Sequence, residues 1–159
     1  MVGNEQTSLF TRVKFVVDTN IVFSAVLNTE SKIGDLLMNS HGMFEFHSCD
    51  TLRAELEEHK EKLLDISGMS GEQLDQSIYQ IMNQIVFTNE ALIPFEYWLR
   101  GAELVRDIDM NDIAFLALAE YLGVKLWTGD KELVKGLVKK GFYNFTATAE
   151  LYQLRLLLE

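Results

Sequence analysis

Apolar residues along this chain follow two alternating patterns. Short runs of β-branched and aromatic residues are typical of buried strands, and longer segments with an apolar residue every three or four positions are typical of amphipathic helices. The runs predict strands at residues 14–17, 43–46, 85–87, 124–127 and 142–145. The helical pattern predicts helices that start near residue 19 and cover residues 32–39, 51–65, 70–84, 95–106, 113–122, 131–140 and 148–158. Strands that alternate with helices throughout predict an α/β fold with a parallel sheet.

Several ends of these elements are set by short-range features. Ser70, with Gln73 three residues later, predicts a capping box at a helix start. Gly123 and Gly141 predict the ends of the helices that precede them. The run at residues 85–87 is short, so we expect it at the edge of the sheet.

Length and composition fit a single globular domain. The chain has 159 residues, 48% of them hydrophobic, which is enough to bury a sizeable core. Residues 1–11 are polar and show no pattern. We therefore expect a flexible N-terminus followed by one domain over residues 12–159.

The charge balance and the single cysteine limit the possible functions. With 24 acidic and 14 basic residues the formal charge is −10, which disfavours nucleic-acid binding by bulk electrostatics. Cys49 alone excludes an intrachain disulfide framework and a cysteine-rich zinc site. The start of the chain lacks the apolar segment of a signal peptide, and no apolar run is long enough to span a bilayer. We expect a cytoplasmic protein without a membrane span.

Four acidic residues are expected to meet at one edge of the sheet. Asp18 ends the first strand and Asp130 follows the fourth, and the carboxyl ends of neighbouring parallel strands lie at the same edge. Asp112 precedes the most apolar helix, whose first turn can reach that edge. On the helical wheel of residues 51–65, Glu55 borders the apolar stripe, whereas Glu57 and Glu61 point away from it.

Carboxylates packed in this way repel one another, so such a site either takes up protons or binds a hard cation. Ligation by oxygen alone favours magnesium or manganese, Mg2+ or Mn2+. One or two of these ions can activate a water against a phosphodiester and stabilise the leaving oxygen. The acidic cluster therefore predicts the chemistry of a metal-dependent nuclease.

Each of these acids also has a purely structural interpretation. Asp18 and Asp130 could simply cap the helices that follow them. Asp109 could be the N-cap of the next helix with Asp112 at its third position, where neither needs a metal; alternatively, Asp109 could replace Asp112 as a ligand. Glu55 could be a solvated residue on the flank of its helix.

A basic cluster contrasts with the acidic balance of the chain. Lys131, Lys135, Lys139 and Lys140 lie on the helix that follows the fourth strand. A solvated helix face is the default interpretation. In the functional alternative, Lys131 and Lys135 contact phosphates beside the acidic residues.

Four short strings carry a resemblance to a known family. They are residues 16–20 (Val-Val-Asp-Thr-Asn), 52–56 (Leu-Arg-Ala-Glu-Leu), 111–119 (Asn-Asp-Ile-Ala-Phe-Leu-Ala-Leu-Ala) and 126–131 (Leu-Trp-Thr-Gly-Asp-Lys). In this order and spacing they resemble the PIN-domain nucleases, which include the VapC-type ribonuclease toxins. The resemblance covers roughly residues 13–151.

This resemblance implies a fold, a site and an activity. It implies a Rossmann-like three-layer α/β/α sandwich around a parallel sheet of about five strands. The implied metal ligands are Asp18, Glu55, Asp112 and Asp130. Asn20 and Thr128 would contact these ligands without contacting the metal.

The implied reaction is hydrolysis of RNA by a metal-activated water, in a family where homodimers are common. The resemblance thus implies an endoribonuclease, and it is compatible with the toxin of a toxin-antitoxin pair whose antitoxin is a separate protein. The alternative is a non-catalytic PIN-like module that binds RNA or a protein.

Overall fold

Five parallel strands form one sheet in the computed structural model, which describes residues 11–159. Their order across the sheet is β3-β2-β1-β4-β5. The strands are β1 (Val13–Val17), β2 (Phe44–Cys49), β3 (Ile85–Thr88), β4 (Lys125–Trp127) and β5 (Phe145–Thr146). The edge position predicted for residues 85–87 is confirmed, because β3 pairs with β2 alone.

Nine α-helices connect and follow these strands within residues 11–159. They are α1 (Thr19–Leu27), α2 (Lys32–Met38), α3 (Asp50–Glu58), α4 (Lys60–Ser67), α5 (Gly71–Met82), α6 (Phe95–Val105), α7 (Ile113–Leu122), α8 (Lys131–Lys139) and α9 (Thr148–Leu158). Short 3-10 turns at Glu90–Leu92 and Met110–Asp112 precede α6 and α7. The capping box at Ser70 and Gln73 is confirmed.

The order of the strands explains why helices cover both faces of the sheet. The chain crosses the sheet one way from β1 to β3 and the other way from β3 to β5. Because parallel crossovers are right-handed, this reversal puts the two sets of connecting helices on opposite faces. Helix α7 packs against β1, β2 and β4 with α6 beside it, and α9 returns to pack on α2. The predicted α/β/α sandwich around five parallel strands is confirmed.

Helices α6 and α7 are in close contact near the start of α7. Helix α7 is apolar on almost every side, and residues 114–119 are all buried. Its approach to α6 depends on Gly101, where a Cβ would lie 2.9 Å from the carbonyl oxygen of Ile113 and 3.3 Å from the amide nitrogen of Ala117. The small residue therefore allows the backbone of one helix to touch that of the other.

Several predicted elements have different bounds in the structure. Strand β2 runs to Cys49, three residues beyond the predicted end at residue 46. The helix predicted over residues 51–65 divides at His59, whose backbone leaves the helical region at φ −101° and ψ 12° while its ring packs edge-to-face on Phe23. The last strand is Phe145–Thr146 instead of residues 142–145. Phe142 is buried without pairing in the sheet, so its apolar character reflects packing of a loop.

The predicted division of the chain is only partly described. Most of the N-terminus predicted to be flexible, residues 1–10, lies outside the described residues. The single domain over residues 12–159 therefore stays a prediction. None of the helices within residues 11–159 is long and apolar enough to cross a bilayer.

Candidate metal centre

The candidate site lies where the strand order reverses, beyond the carboxyl ends of β1 and β4. In the register of these strands Val17 is opposite Trp127, so Asp18 and Thr128 follow at neighbouring positions. Crevices at such reversal points are where open α/β sheets bind ligands, because the helices on the two sides diverge there.

Asp18 is a buried carboxylate that caps α1. Its side chain is at the N-cap, and Oδ1 accepts a hydrogen bond of 3.0 Å from the amide of Ile21. Burial raises the pKa of Asp18 to about 6, although the hydroxyl of Thr128 and the Ile21 amide lower it. The charges of Asp130 and Glu55 raise it further. Asp18 therefore both caps α1 and lies close to other acids.

Asp130 repeats this arrangement at the start of α8. Its Oδ1 accepts hydrogen bonds from the amides of Glu132 (3.0 Å) and Leu133 (3.1 Å). The buried Thr128 hydroxyl accepts a hydrogen bond of 3.1 Å from the Asp130 amide. Since the same hydroxyl also lowers the pKa of Asp18, Thr128 lies between the Asp18 carboxylate and the backbone of Asp130.

Asp112 lies at the end of the 3-10 turn, directly before α7. It is partly buried, and its Oδ2 is fully enclosed with no hydrogen-bond partner among residues 11–159. Burial raises the pKa of Asp112 to about 7. Further contributions come from the charges of Asp18, Asp109, Asp130 and Glu55. A buried oxygen without a donor is costly unless something else, such as a cation, satisfies it.

Asp109, the alternative candidate ligand to Asp112, is exposed. It caps the 3-10 turn at Met110–Asp112, where its Oδ1 accepts a hydrogen bond of 2.9 Å from the amide of Asn111. Helix α7 begins only at Ile113, so Asp112 is not at the third position of a helix capped by Asp109. The two acids thus differ in placement: Asp112 is partly buried and Asp109 is exposed, although the charge of Asp109 raises the pKa of both Asp112 and Glu55.

Glu55 reaches the same region from α3. It is partly buried, and this burial raises its pKa, as does the charge of Asp109. The neighbouring hydroxyl of Thr19 lowers the pKa, and the charge of His59 also lowers it. The Thr19 Oγ1 is itself buried and makes no hydrogen bond of good geometry within the described part of the chain.

Thr19 was not selected from the sequence as a site residue, although its hydroxyl lowers the pKa of Glu55. Its position directly after Asp18 at a strand end is the feature that could have suggested more. Of the two predicted supporting residues, Thr128 is buried between Asp18 and Asp130, whereas Asn20 is exposed. Lys131 and Lys135 are exposed on α8.

The donor chemistry of this site fits a hard divalent cation. All four candidate ligands are carboxylates, and each of the pKa values of Asp18, Glu55 and Asp112 is raised. The free Oδ2 of Asp112 supplies an unsatisfied acceptor. However, no three acidic, histidine or cysteine side chains within residues 11–159 stand close enough to hold an ion as they lie. Side-chain rotation toward a cation would have to complete the site.

A parallel α/β/α sandwich with carboxylates at the reversal of strand order defines a class of α/β proteins with an acidic crevice. The model of one family, the PIN domain, matches residues 16–153. The chain therefore belongs to the PIN-domain family. Proteins of this family are generally nucleases, and they generally use divalent metal ions.

Solved structures share the fold at low sequence identity. The crystal structure of PAE2754 from Pyrobaculum aerophilum superimposes with a TM-score of 0.65 and 14% identity, covering 91% of this chain and 90% of that one. The crystal structure of VapBC2 from Rickettsia felis, bound to a DNA fragment from their promoter, gives a TM-score of 0.62 and 16% identity over 85% of this chain and 97% of that one. A comparison with curated proteins found no significant match.

Proposed function

We propose that this protein is a magnesium- or manganese-dependent endoribonuclease. The observation that carries the proposal is the enclosed, unpartnered Oδ2 of Asp112 among the charges of Asp18, Asp130 and Glu55. Such a set of acids is costly at neutral pH in the absence of a cation, which makes binding of one favourable. Membership of the PIN-domain family supports the same reaction class.

In this proposal Asp18, Glu55, Asp112 and Asp130 hold the ion. A bound ion would supply two effects, a lower pKa for an attacking water and stabilisation of the charge on the leaving oxygen of a phosphodiester. The helix amides at Ile21 and Leu133 orient the carboxylates of Asp18 and Asp130 by occupying one oxygen of each. Thr128 holds these two residues together, and Asn20 supports them from the exposed side.

We further propose that the protein is the toxin of a toxin-antitoxin pair that acts in the cytoplasm. Its structural similarity to a chain of VapBC2 from Rickettsia felis supports this class of partner. The antitoxin would be a separate protein, and the toxin would be a homodimer, as the resemblance to VapC-type toxins implies.

RNA cleavage by the purified protein tests the proposal. Cleavage should require Mg2+ or Mn2+ and stop in EDTA. Asp18→Asn and Asp130→Asn should fold and lose at least 100-fold in rate, because each keeps its helix cap but loses a charged ligand. The control is Asp65→Asn, an exposed acid at the far end of α4. Unchanged cleavage by Asp130→Asn would contradict the assignment.

The second candidate function is a non-catalytic module that binds RNA or a protein. The absence of three closely placed ligands within residues 11–159 favours it. Thermal melting separates the two candidates, since a ligand that binds only the folded state at 100 times its Kd stabilises it by about 2.7 kcal/mol. If saturating Mn2+ leaves Tm unchanged, the non-catalytic function gains and the nuclease proposal loses its main support.

A further inference from the structure

A cleft of about 450 Å³ opens between α8 and the segment that follows α6. Asp107 and Ile108 form one wall, and Glu132, Lys135 and Lys139 form the other. Both walls lead to the candidate metal centre. The segment of Ile108 continues into the turn that holds Asp112, and α8 begins directly after Asp130.

The walls of this cleft are fixed to each other at two points. At the floor, Ile108 packs onto Gly136, where a Cβ would lie only 2.2 Å from the Ile108 Cδ1. At the outer end, the ammonium of Lys140 pairs with the carboxylate of Asp107 and donates to the carbonyl oxygens of Leu104 (2.8 Å) and Glu103 (3.2 Å). These two contacts therefore hold the walls of the cleft in place relative to each other.

Lys140 is thus occupied, whereas Lys135 and Lys139 are exposed and make no ion pair with any described residue. They are four residues apart, so they lie on the same face of α8, about 6 Å apart along its axis. Lys131 is one turn nearer Asp130. In a chain of net charge −10 this row is a local exception that can attract a polyanion.

The lysines of α8 lie at regular distances from Asp130 along the helix axis. Lys135 and Lys139 follow Asp130 by five and nine residues, or about 8 Å and about 14 Å at 1.5 Å per residue. The spacing of about 6 Å between Lys135 and Lys139 suits two successive phosphates of one extended strand. A cleft of about 450 Å³ is too small for a duplex.

We propose that this cleft binds single-stranded RNA on one side of the scissile bond, with Lys135 and Lys139 contacting two successive phosphates. The proposal rests on the proposed nuclease function for its substrate. Phosphate contacts of this kind fix the register of a strand without reading its sequence. They would also explain how an acidic protein holds RNA.

Binding without cleavage tests the proposal. The Asp18→Asn protein is titrated into a short, fluorescein-labelled oligouridine at several salt concentrations, and fluorescence anisotropy gives Kd. Each phosphate contact to a single strand contributes about 0.7 to the slope of log K against log salt. Adding Lys135→Gln and Lys139→Gln should lower that slope by about 1.4 and weaken binding about tenfold or more at low salt.

The matched control replaces two other exposed lysines, Lys62 and Lys125, by Gln in the same background. Lys62 lies on α4, and Lys125 lies at the amino end of β4, opposite the acids. The control changes net charge equally, so its affinity and slope should stay near those of Asp18→Asn. Equal values for the two double variants, or no measurable binding by Asp18→Asn, would overturn the proposal.

The experiments distinguish failure of the proposed nuclease function from failure of the proposed RNA binding in the cleft. If the wild-type protein does not cleave RNA but the Lys135 and Lys139 variant still loses binding, the cleft assignment stands alone. If RNA is cleaved and the two double variants bind equally, only the cleft assignment fails. A deoxyuridine strand should show the same loss, because phosphates carry no 2′-hydroxyl; a loss limited to RNA would overturn phosphate contact.

Discussion

The negative charge of Asp18 raises the pKa of Asp112, and after burial it is the largest cause of that rise. Asp18 ends β1 and Asp112 precedes α7, so the two carboxylates reach the crevice from different sides. With pKa values of about 6 and about 7, both are poised to exchange protons for a cation near neutral pH.

Without metal, the protein should become less stable as pH rises from about 4 to about 7. The folded pKa of Asp112 is raised above the unfolded value of 3.8, so between the two the folded state binds more protons than the unfolded state. Stability is then lost as these protons leave. Thermal melting in EDTA across this range measures the effect.

The neutral variant Asp112→Asn should remove much of this pH dependence and raise metal-free stability at pH 7.5. We expect a gain of about 1–2 kcal/mol, less than the full pKa shift because the side chain is partly exposed to water. Asp65→Asn is the control and should melt like the wild type. A wild-type Tm that rises between pH 5 and pH 7 in EDTA would contradict this prediction.

Asp109 and Asp112 should respond differently to neutralisation when metal is present. Asp112→Asn should lose the increase in Tm caused by Mn2+, because it removes the charge inside the crevice. Asp109→Asn should retain most of that increase, since Asn caps the 3-10 turn about as well as Asp does. The opposite result would make Asp109 the ligand.

Two substitutions at Asp130 separate its cap from its charge. Asp130→Asn should keep the bonds to the amides of Glu132 and Leu133 and change the free energy of unfolding little. Asp130→Ala should lose about 1 kcal/mol as well as the charge. Chemical denaturation measures the difference in stability, and both variants should be equally poor in RNA cleavage. A large difference in cleavage between them would indicate that the cap, and not the charge, is what matters.

Gly101→Ala should destabilise the protein by about 1–3 kcal/mol, because the new Cβ meets backbone atoms of α7. It should also weaken stabilisation by Mn2+, since displacement of α7 moves Asp112. Gly71→Ala is the matched control, as a Cβ there meets nothing within 4 Å. Equal melting temperatures for the two variants would show that the helices adjust without cost.

The periodicity of apolar residues was sufficient to indicate five strands, to order strands and helices along the chain and to indicate the α/β class. It succeeded because the period of a buried strand and that of an amphipathic helix are local properties of the chain. It failed at His59 and at Phe142, where contact with Phe23 or burial of a loop overrides the local pattern. Neither contact can be deduced from neighbouring residues.

The sequence alone suggested Asp18, Asp112 and Asp130 from their positions at strand and helix ends, and Glu55 from its place on the helical wheel, and these four residues stay predicted ligands. What the sequence left open was whether Asp109 or Asp112 faces the crevice, because both lie in the same short acidic segment. The packing of α7 on the sheet and of Ile108 on Gly136 places Asp112 beside the charge of Asp18 and leaves Asp109 in solvent. Proximity between residues so distant in the chain depends on how the crossovers pack, which is a property of the tertiary structure alone.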